Sequence, residues 1–297
     1  MQKVWDAIVV GAGPAGASCA VWLRHLGLDP LLLEATDRIG GLAARNPFPD
    51  IWTATSPNQT GAQVAEQIAL QVQAAGIETW LQANVVSVTG QVGGFEVSVR
   101  RGVHEPQTLT AKTLVLATGV RPRDLPGFAG KPTPGVIVGP GDAVMQADFA
   151  GTRVALLGGG DNAFENHGFV KSRGAVDAHI YARTVRAQRQ FVDRVPADEL
   201  TIGQSVVDPA ARTVNGQAYD WIVVLYGWQP NVGFLADLPL ALDSRGFVQT
   251  DPQSAQTSIE GIYAIGEVAQ RMHPCVPTAM ADGVVAAKAI EARLTKA

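Results

Sequence analysis

The 297-residue sequence predicts an α/β protein with two doubly wound units, each built on a parallel sheet. Two patterns carry this prediction, one beginning at Ala7 and the other at Val154. Each pattern runs from an apolar strand through a glycine turn into a helix and then a second strand, which is typical of a βαβ unit. The length also fits two domains, at about 100–200 residues per domain.

The first pattern has a strand at 7–10, the turn Gly11-Ala12-Gly13-Pro14-Ala15-Gly16, a helix over 18–26 and a strand at 31–33. Gly11 permits a tight turn, Gly13 permits the backbone to approach a pyrophosphate, and Gly16 permits close packing of the helix. Glu34 stands 23 residues after Gly11, near the ~20 typical of a carboxylate that binds ribose hydroxyls. Because the helix N-terminus also favours phosphate, these residues predict an adenine dinucleotide as ligand.

The second pattern has a strand at 154–157, the turn Gly158-Gly159-Gly160-Asp161-Asn162-Ala163 and a strand near 176–180. The residue 23 positions after Gly158 is Tyr181, so no ribose-binding carboxylate is expected here. Three arginines follow, at Arg183, Arg186 and Arg189. Arginine suits the 2′-phosphate of NADPH, which favours NADPH over NADH. The alternative interpretation is that these arginines form an exposed face of a helix.

The remaining segments complete the two units. Short antiparallel strands are expected at 85–88, 95–99 and 108–109, and a buried strand at 114–118 ends at Gly119. Gly119 marks the predicted domain boundary. Later strands are expected at 221–225 and 261–265, followed by an amphipathic helix over 278–294 that returns to the first domain.

The composition is 46% hydrophobic and 17% charged, which excludes disordered, collagen-like and coiled-coil classes. With a formal charge of -4 and no basic block, we expect neither nucleic acid nor an anionic membrane surface as partner. No apolar stretch approaches the ~18 residues of a membrane span. Cys19 and Cys275 are the two cysteines, so no disulfide framework is expected and the cytoplasm is the predicted compartment. The dispersed histidines predict no metal site.

A set of motifs runs through the chain in a family-like order. The motifs are the turn at 11–16, Gly40-Gly41-Leu42, Asn46-Pro47-Phe48-Pro49, Leu116-Ala117-Thr118-Gly119, the turn at 158–163, and Gly261-Ile262-Tyr263-Ala264-Ile265-Gly266-Glu267. In these motifs the chain resembles the low-molecular-weight thioredoxin reductases over nearly its full length.

The resemblance implies two Rossmann-like, three-layer dinucleotide-binding domains, with the second inserted into the first. An FAD-binding domain would comprise 1–118 and 246–297, an NAD(P)-binding domain 119–245, and the protein would be a homodimer. By motif matching, FAD would bind to Gly11, Gly13, Ala15, Gly16, Glu34, Gly41, Asn46, Val85, Thr118, Gly119, Gly266 and Glu267. NADPH would bind, more weakly, to Gly158, Gly160, Ala163, Arg183 and Arg186. Glu267 replaces the family's usual aspartate, and its longer side chain can still reach the ribityl or phosphate region, so we still expect FAD to bind.

The chain departs from the family where the redox-active Cys-x-x-Cys is expected. Gly139 and Asp142 stand at those two positions, and neither provides a thiol. Cys275 stands where related reductases carry Arg-Gln against the flavin ring, close to His273. Both are candidate catalytic or substrate-contacting residues, and the alternative for Cys275 is a small space-filling side chain.

These observations predict an FAD-dependent oxidoreductase that passes electrons from NAD(P)H through the flavin directly to a small-molecule or redox-protein acceptor other than thioredoxin. Two alternatives remain open at this point. One is a flavoprotein oxidase that does not use pyridine nucleotide, and the other is a non-catalytic flavin-binding redox sensor.

Overall fold

The computed structural model describes residues 3–128, 132–235 and 238–295. The helices are α1 (Pro14–His25), α2 (Gly61–Ala74), α3 (Asp142–Gln146), α4 (Asp161–Ser172), α5 (Arg189–Val192) and α6 (Val276–Thr295). The strands are β1 (Val4–Val10), β2 (Pro30–Leu33), β3 (Glu78–Trp80), β4 (Ala83–Gln91), β5 (Gly94–Arg101), β6 (Gln107–Leu116), β7 (Val120–Pro122), β8 (Val136–Val138), β9 (Arg153–Leu157), β10 (Asp177–Ala182), β11 (Leu200–Ile202), β12 (Val207–Asp208), β13 (Thr213–Val214), β14 (Gln217–Ala218), β15 (Trp221–Val224), β16 (Trp228–Pro230) and β17 (Ile262–Ala264). Single turns of 3-10 helix lie at Ala43–Arg45, Ala197–Glu199, Gly233–Leu235 and Gly266–Val268.

The first unit contains a sheet in the order β3-β2-β1-β6-β5-β4, with β17 also pairing with β6. Strands β1, β2, β3, β6 and β17 pair in parallel, whereas β4, β5 and β6 form an antiparallel meander. The long strand β6 serves both parts, because its first residues pair with β5 and its last three with β17. The turn at 11–16 follows β1, and Gly119 follows β6. Both therefore lie at the carboxyl ends of neighbouring parallel strands.

Alternate residues of the central strands bury opposite faces of this sheet. Ile8 and Val10 pack in one apolar cluster, and Ala7 and Val9 pack in another together with side chains of α1 and α6. Helix α1 begins with Pro14 at a position where a missing N–H costs little. The sequence-predicted three-layer, Rossmann-like fold is confirmed for this unit.

The second unit contains an all-parallel sheet in the order β11-β10-β9-β15-β8. Alternating residues again separate two apolar clusters, with Leu156 in one and Leu157 in the other. A small antiparallel sheet, β12-β13-β14, follows β11 in the chain. Its residue Val214 packs in the same cluster as Tyr181 and Tyr219.

The chain divides into one unit of residues 1–120 with 230–297 and a second unit of residues 121–229. Strands β7 and β16, which carry the chain out of the first unit and back into it, pair with each other. The chain returns near Pro230 and not at the predicted residue 246. The physical reason is apolar packing, because Val232, Phe234 and Leu240 contact the core of the first unit.

None of the helices in the described part of the chain combines the length and the apolar character that crossing a membrane requires.

Candidate functional site

Two glycines of the first turn are required by the fold itself. Gly11 has φ +104°, and a Cβ there would lie 2.3 Å from the carbonyl oxygen of Ala117. A Cβ at Gly16 would lie 1.9 Å from the carbonyl oxygen of Gly11. Any side chain at either position would therefore displace backbone atoms. The two glycines thus allow the turn to pack against the end of β6.

Gly13 differs from its neighbours because it leaves open space. A Cβ there would meet only the Cα of Gly41, at 3.9 Å. Gly41 itself has φ +56°, and its own Cβ would lie 3.0 Å from the Cα of Gly13. No side chain of the described residues caps the N-terminus of α1, so the N–H groups of its first turn are available to an anion. This open cradle fits a pyrophosphate.

Glu34 is buried beside the same turn and contacts two segments. Its Oε2 accepts a hydrogen bond from the Ala12 N–H at 2.9 Å, and its Oε1 accepts from the Thr36 N–H and Oγ1, both at 2.8 Å. Because Oε2 accepts only one hydrogen bond from the described residues, it retains capacity for a further donor. Glu34 thus fixes the glycine turn and still fits a hydroxyl of a ribose.

The other residues assigned to FAD by motif lie on segments tied to this turn. The Ala15 side chain is buried in α1, and the Asn46 Oδ1 accepts from the Phe48 N–H at 3.0 Å, next to the start of α2. Val85 is half-buried beside a β-bulge in β4, two residues after Ala83, whose N–H donates to the Glu34 carbonyl at 2.8 Å.

Thr118 and Gly119 follow β6 and are held by Asn231, which the sequence analysis did not single out. Thr118 Oγ1 donates to the Asn231 carbonyl at 2.8 Å, and the Asn231 Nδ2 donates to the Thr118 carbonyl at 3.0 Å. The Asn231 N–H also donates to the Gly119 carbonyl at 3.1 Å. The Pro230-Asn231 pair just after a predicted strand and glycine was the available signal.

An open cleft lies at the start of α6. It brings together the C-terminal residues that the sequence singled out. The lining residues are Gly266, Glu267, Gln270, Met272, His273, Pro274, Cys275, Thr278, Ala279 and Asp282. A Cβ at Gly266 would lie 2.8 Å from the Cβ of Ala15, so the cleft adjoins helix α1 and the first glycine turn.

Two polar side chains in this cleft lack partners. The carboxylate of Glu267 makes no hydrogen bond or ion pair with any described residue, and burial raises its pKa. The buried Oε1 of Gln270 also has no hydrogen-bond partner among the described residues. A buried acceptor without a donor costs about 1–3 kcal/mol. The cleft therefore suits a ligand with several hydroxyl donors, which is the chemistry of the ribityl chain of a flavin.

Cys275 immediately precedes α6 and is half-buried in the cleft. Its Sγ lies 3.3 Å from the Thr278 Oγ1, which also donates to the His273 carbonyl at 2.6 Å. The His273 side chain is exposed, and it is the backbone carbonyl of His273 that contacts Thr278. Cys19 is fully buried in α1, where burial strongly raises the pKa of its thiol.

The second glycine turn repeats the tight packing of the first. Gly158 has φ +154°, and a Cβ there would lie 2.4 Å from the Leu225 carbonyl oxygen. Gly159, which the sequence analysis did not assign, has no space either, since its Cβ would lie 1.9 Å from the Thr184 carbonyl oxygen. Gly160 precedes α4 with open space around it, and Ala163 is fully buried in that helix.

The strand register corrects the position matched to Glu34 in the second unit. The Gly11 N–H donates to the Leu33 carbonyl at 2.8 Å, and the Gly158 N–H donates to the Tyr181 carbonyl at 3.0 Å. Tyr181 therefore corresponds to Leu33, and Ala182 corresponds to Glu34. The count misplaced it because the second unit has one more residue between turn and strand end. Ala182 carries no carboxylate either.

Tyr181 is part of the core instead. Its side chain is buried in β10, and its hydroxyl lies 2.8 Å from the hydroxyl of Tyr219. The first exposed side chain beyond this strand is Arg183.

Arg183 and Arg186 lie in the loop after β10, so their interpretation as a helix face is wrong; Arg189 alone of the three is in α5. Both side chains are exposed. The Arg186 N–H donates to the Gly159 carbonyl at 2.6 Å, which ties the loop to the second glycine turn. The loop also closes through Asp161, whose Oδ1 accepts from the Gln188 N–H at 2.7 Å.

Across 3–128, 132–235 and 238–295, no group of three or more His, Cys, Asp and Glu side chains is arranged to hold a metal ion.

Comparison with known proteins places these features in context. A sequence model described as pyridine nucleotide-disulphide oxidoreductase matches residues 5–283. A ferredoxin–NADP reductase of Limosilactobacillus fermentum is 29% identical over 298 residues, covering 90% of this chain and 86% of the relative. A thioredoxin reductase of Peptoclostridium litorale is 26% identical over 315 residues, covering 97% of this chain and 96% of the relative.

Solved structures share the fold at lower identity. The thioredoxin reductase of Lactococcus lactis superposes with a TM-score of 0.82 at 22% identity, covering 99% of this chain and 100% of that structure. The bacillithiol disulfide reductase Bdr of Bacillus cereus superposes with a TM-score of 0.83 at 18% identity, covering 98% of this chain and 100% of that structure. Because the sequence match spans most of the chain, this protein belongs to the pyridine nucleotide-disulphide oxidoreductase family.

Proposed function

We propose that this protein is an FAD-dependent oxidoreductase that takes electrons from NADPH and delivers them directly to an acceptor other than thioredoxin. Family membership supports an oxidoreductase with FAD and NADPH as cofactors. The acceptor is either a small molecule or a redox protein. Relatives named for ferredoxin and for thioredoxin make a redox protein plausible as partner.

The first unit offers the residues for FAD. The start of α1, with the open Gly13, would bind the pyrophosphate, and Glu34 Oε2 would accept from a ribose hydroxyl. Glu267 and Gln270 have free acceptors in the cleft for the ribityl hydroxyls. Bound FAD supplies the electron-transfer chemistry, and the protein supplies binding and orientation.

The second unit offers the residues for NADPH. The turn at Gly158 and Gly160 leads into α4, whose N-terminus favours phosphate. The arginine loop, residues 183–187, is hydrogen-bonded to this turn and presents Arg183 and Arg186 to solvent. Exposed guanidinium groups beside a nucleotide turn support recognition of a 2′-phosphate.

The observation that carries the proposal is the backbone at Gly139. Gly139 has φ +80°, and a Cβ there would lie 2.1 Å from the Cγ and 2.7 Å from the Cβ of Pro122. The proline ring is rigid, so this position is closed to cysteine or to any other side chain. Thioredoxin reduction needs a thiolate that attacks a disulfide. Cys19 is buried and Cys275 has no second thiol beside it in the sequence, which supports direct transfer from the flavin.

We further propose that the protein is a cytoplasmic homodimer. The resemblance to thioredoxin reductases supports the dimer, and the low cysteine count supports the compartment. Light scattering during size-exclusion chromatography tests the first point, because a dimer has twice the 31.2 kDa mass of the chain. A monomer at micromolar concentration would contradict it.

A panel of acceptors tests the proposed activity. The pigment released by heating the purified protein should be FAD and not FMN. NADPH oxidation should then be fast with ferricyanide, a quinone or ferredoxin, at ~1 per second or more, and negligible with oxidised thioredoxin. Thioredoxin reduction at a comparable rate would refute the proposal.

A further inference from the structure

A buried carboxylate on α6 holds both ends of the segment that carries Glu267. The Asp282 side chain is 3% exposed, and its Oδ2 accepts a hydrogen bond from the Gly266 N–H at 3.0 Å. Its Oδ1 lies 3.2 Å from the Nη1 of Arg271. One side chain therefore fixes the first and the last residue of 266–271, the segment that contributes Glu267 and Gln270 to the cleft.

The carboxylate is itself held at a rigid point. The next residue, Gly283, has no room for a side chain, because a Cβ would lie 2.5 Å from the Ala15 carbonyl oxygen. Helix α6 therefore packs closely on α1 beside Asp282. Gly266 and Arg271, which Asp282 holds, are thereby positioned relative to α1, the helix that begins at the first glycine turn.

The segment held by Asp282 is tightly turned. Gly266 has φ +68°, and Gln270 has φ +47°, which is unusual for a residue with a side chain. The Gln270 N–H donates to the Gly266 carbonyl at 2.9 Å. Such a turn persists when its surroundings determine it, and Asp282 provides contacts at both of its ends.

The ion pair is not built for simple space-filling. Within the part of the chain that the structure describes, Asp282 Oδ1 and Arg271 Nη1 and Nε are buried without hydrogen bonds, although the two charges lie close together. The remaining group of Arg271, Nη2, donates to the Pro252 carbonyl. A buried ion pair is often no more stabilising than apolar residues of the same size. Its presence here suggests that it fixes a geometry.

We propose that Asp282, with Arg271 as its counter-ion, is a positioning residue for the flavin end of the FAD site. It holds the Gly266–Glu267 turn so that the Glu267 carboxylate and the side-chain Oε1 of Gln270 face the cleft at the start of α6. The inference rests on the proposed function, because FAD is the ligand it concerns.

Three variants of the full-length protein test the role of Asp282. Asp282→Leu removes both contacts, and Asp282→Asn keeps an acceptor for the Gly266 N–H but loses the charge. Asp6→Asn is the matched control, because Asp6 also accepts from a backbone N–H, that of Asp29 at 2.8 Å, and pairs with Lys112 at 2.7 Å, on another part of the first unit.

Each apoprotein is titrated with FAD, following the quenching of flavin fluorescence, and its unfolding by urea is measured without FAD. We expect the Kd for FAD to rise at least ~10-fold in Asp282→Leu, since a buried hydrogen bond to a charged group is lost. We expect ~3-fold in Asp282→Asn and no change in Asp6→Asn. The visible circular dichroism of the bound flavin should change in both Asp282 variants.

A purely structural role predicts a different outcome. Apoprotein stability would fall in both Asp282 variants, while Kd and flavin circular dichroism of the folded protein stayed at wild-type values; that result would overturn the inference. Asp282→Asn alone decides the question if Asp282→Leu does not fold. Wild-type apoprotein that binds no FAD would instead refute the proposed function.

Discussion

Gly11 and Gly13 stand two residues apart in one turn, but they have different neighbours. A Cβ at Gly11 would lie 2.3 Å from the Ala117 carbonyl oxygen, whereas a Cβ at Gly13 would meet nothing closer than 3.9 Å. Gly13 also has φ −68°, which alanine adopts without strain. Gly11 is therefore required by the fold, and we infer that Gly13 is required by the ligand.

Alanine variants of the two glycines should separate these roles. We expect Gly11→Ala to lose about 2–4 kcal/mol of unfolding free energy in the apoprotein, through strain and overpacking. We expect Gly13→Ala to stay within about 0.5 kcal/mol of wild type but to bind FAD at least ~10-fold more weakly, equivalent to ~1.4 kcal/mol. Urea unfolding and FAD titration measure both quantities. Unchanged FAD affinity in Gly13→Ala would disprove the role of that glycine.

Gly139 stands at one of the two positions where the resemblance to thioredoxin reductases places a redox-active cysteine. Gly139 has φ +80°, and Pro122 occupies the space that a side chain there would need. We therefore expect Gly139→Ala to destabilise the protein by about 2–4 kcal/mol. Gly168→Ala is the control, since Gly168 is exposed within α4 with nothing within 4 Å of its added Cβ, and it should stabilise by about 0.5–1 kcal/mol. A double variant with cysteines at 139 and 142 should not gain thioredoxin reductase activity. Gain of that activity without loss of stability would show that the position is open.

Among the elements, helix α4 is joined by titratable groups to the 3-10 turn Ala197–Glu199, which leads into the edge strand β11. His167 Nε2 lies 2.7 Å from Glu199 Oε2, and the Lys171 Nζ donates to Glu199 Oε1 at 2.5 Å. Burial raises the pKa of Glu199, but the hydrogen bonds from Lys171 and His167 outweigh it, so the pKa is lowered overall. On the neighbouring strand, burial lowers the pKa of His179, whose Nε2 lies 2.8 Å from Thr201 Oγ1.

Acid should therefore destabilise the protein in two steps. As the pH falls, His179 is protonated in the unfolded chain before it is protonated in the folded protein, because burial lowers its pKa. The contribution of neutral His179 to folding stability is therefore present above about pH 6.5 and is lost as the pH falls below that value. The contribution of Glu199 is present above about pH 4.5 and is lost at still lower pH. We expect the urea midpoint to fall between pH 7.5 and pH 5.5, and to fall less in His179→Gln. An equal fall in that variant would assign the effect to other groups.

The arginine loop is the element on which we expect the choice between NADPH and NADH to depend. Arg183 is exposed directly after β10, and the loop is hydrogen-bonded to Gly159. We expect Arg183→Ala to raise the KM for NADPH about 10-fold, as the loss of a charge-assisted hydrogen bond predicts, and to leave the KM for NADH unchanged. Arg189→Ala, in α5, is the control because its side chain pairs with Asp193 at 3.5 Å. Equal effects of Arg183→Ala on both cofactors would show that Arg183 does not read the phosphate.

For the whole molecule, the strand, turn and helix pattern sufficed to predict the two parallel sheets. The spacing of Glu34 from Gly11 also identified a residue that the structure places against the glycine turn. The same count failed at Tyr181, because one extra residue in a connection shifts the register and sequence spacing does not reveal such an insertion. Similarly, the return of the chain at Pro230 depends on apolar contacts of the segment that follows.

Long-range contacts account for what the sequence did not reveal at the candidate site. Asp282 and Arg271 lie outside the motifs that were matched, and their roles depend on contacts with Gly266 and Pro252. The closed space at Gly139 arises from Pro122, which comes from another strand. Both features depend on backbone angles and distances that residue types alone do not specify.

The most direct test of the account is an anaerobic titration of the holoprotein with NADPH, followed by addition of one acceptor at a time. We expect NADPH to bleach the visible flavin absorption, and ferricyanide or a quinone to restore it in both wild type and Cys275→Ser. Oxidised thioredoxin should leave the flavin reduced. Failure of NADPH to bleach the flavin, or rapid reoxidation by thioredoxin, would contradict direct transfer of electrons from NADPH through FAD to a non-thioredoxin acceptor.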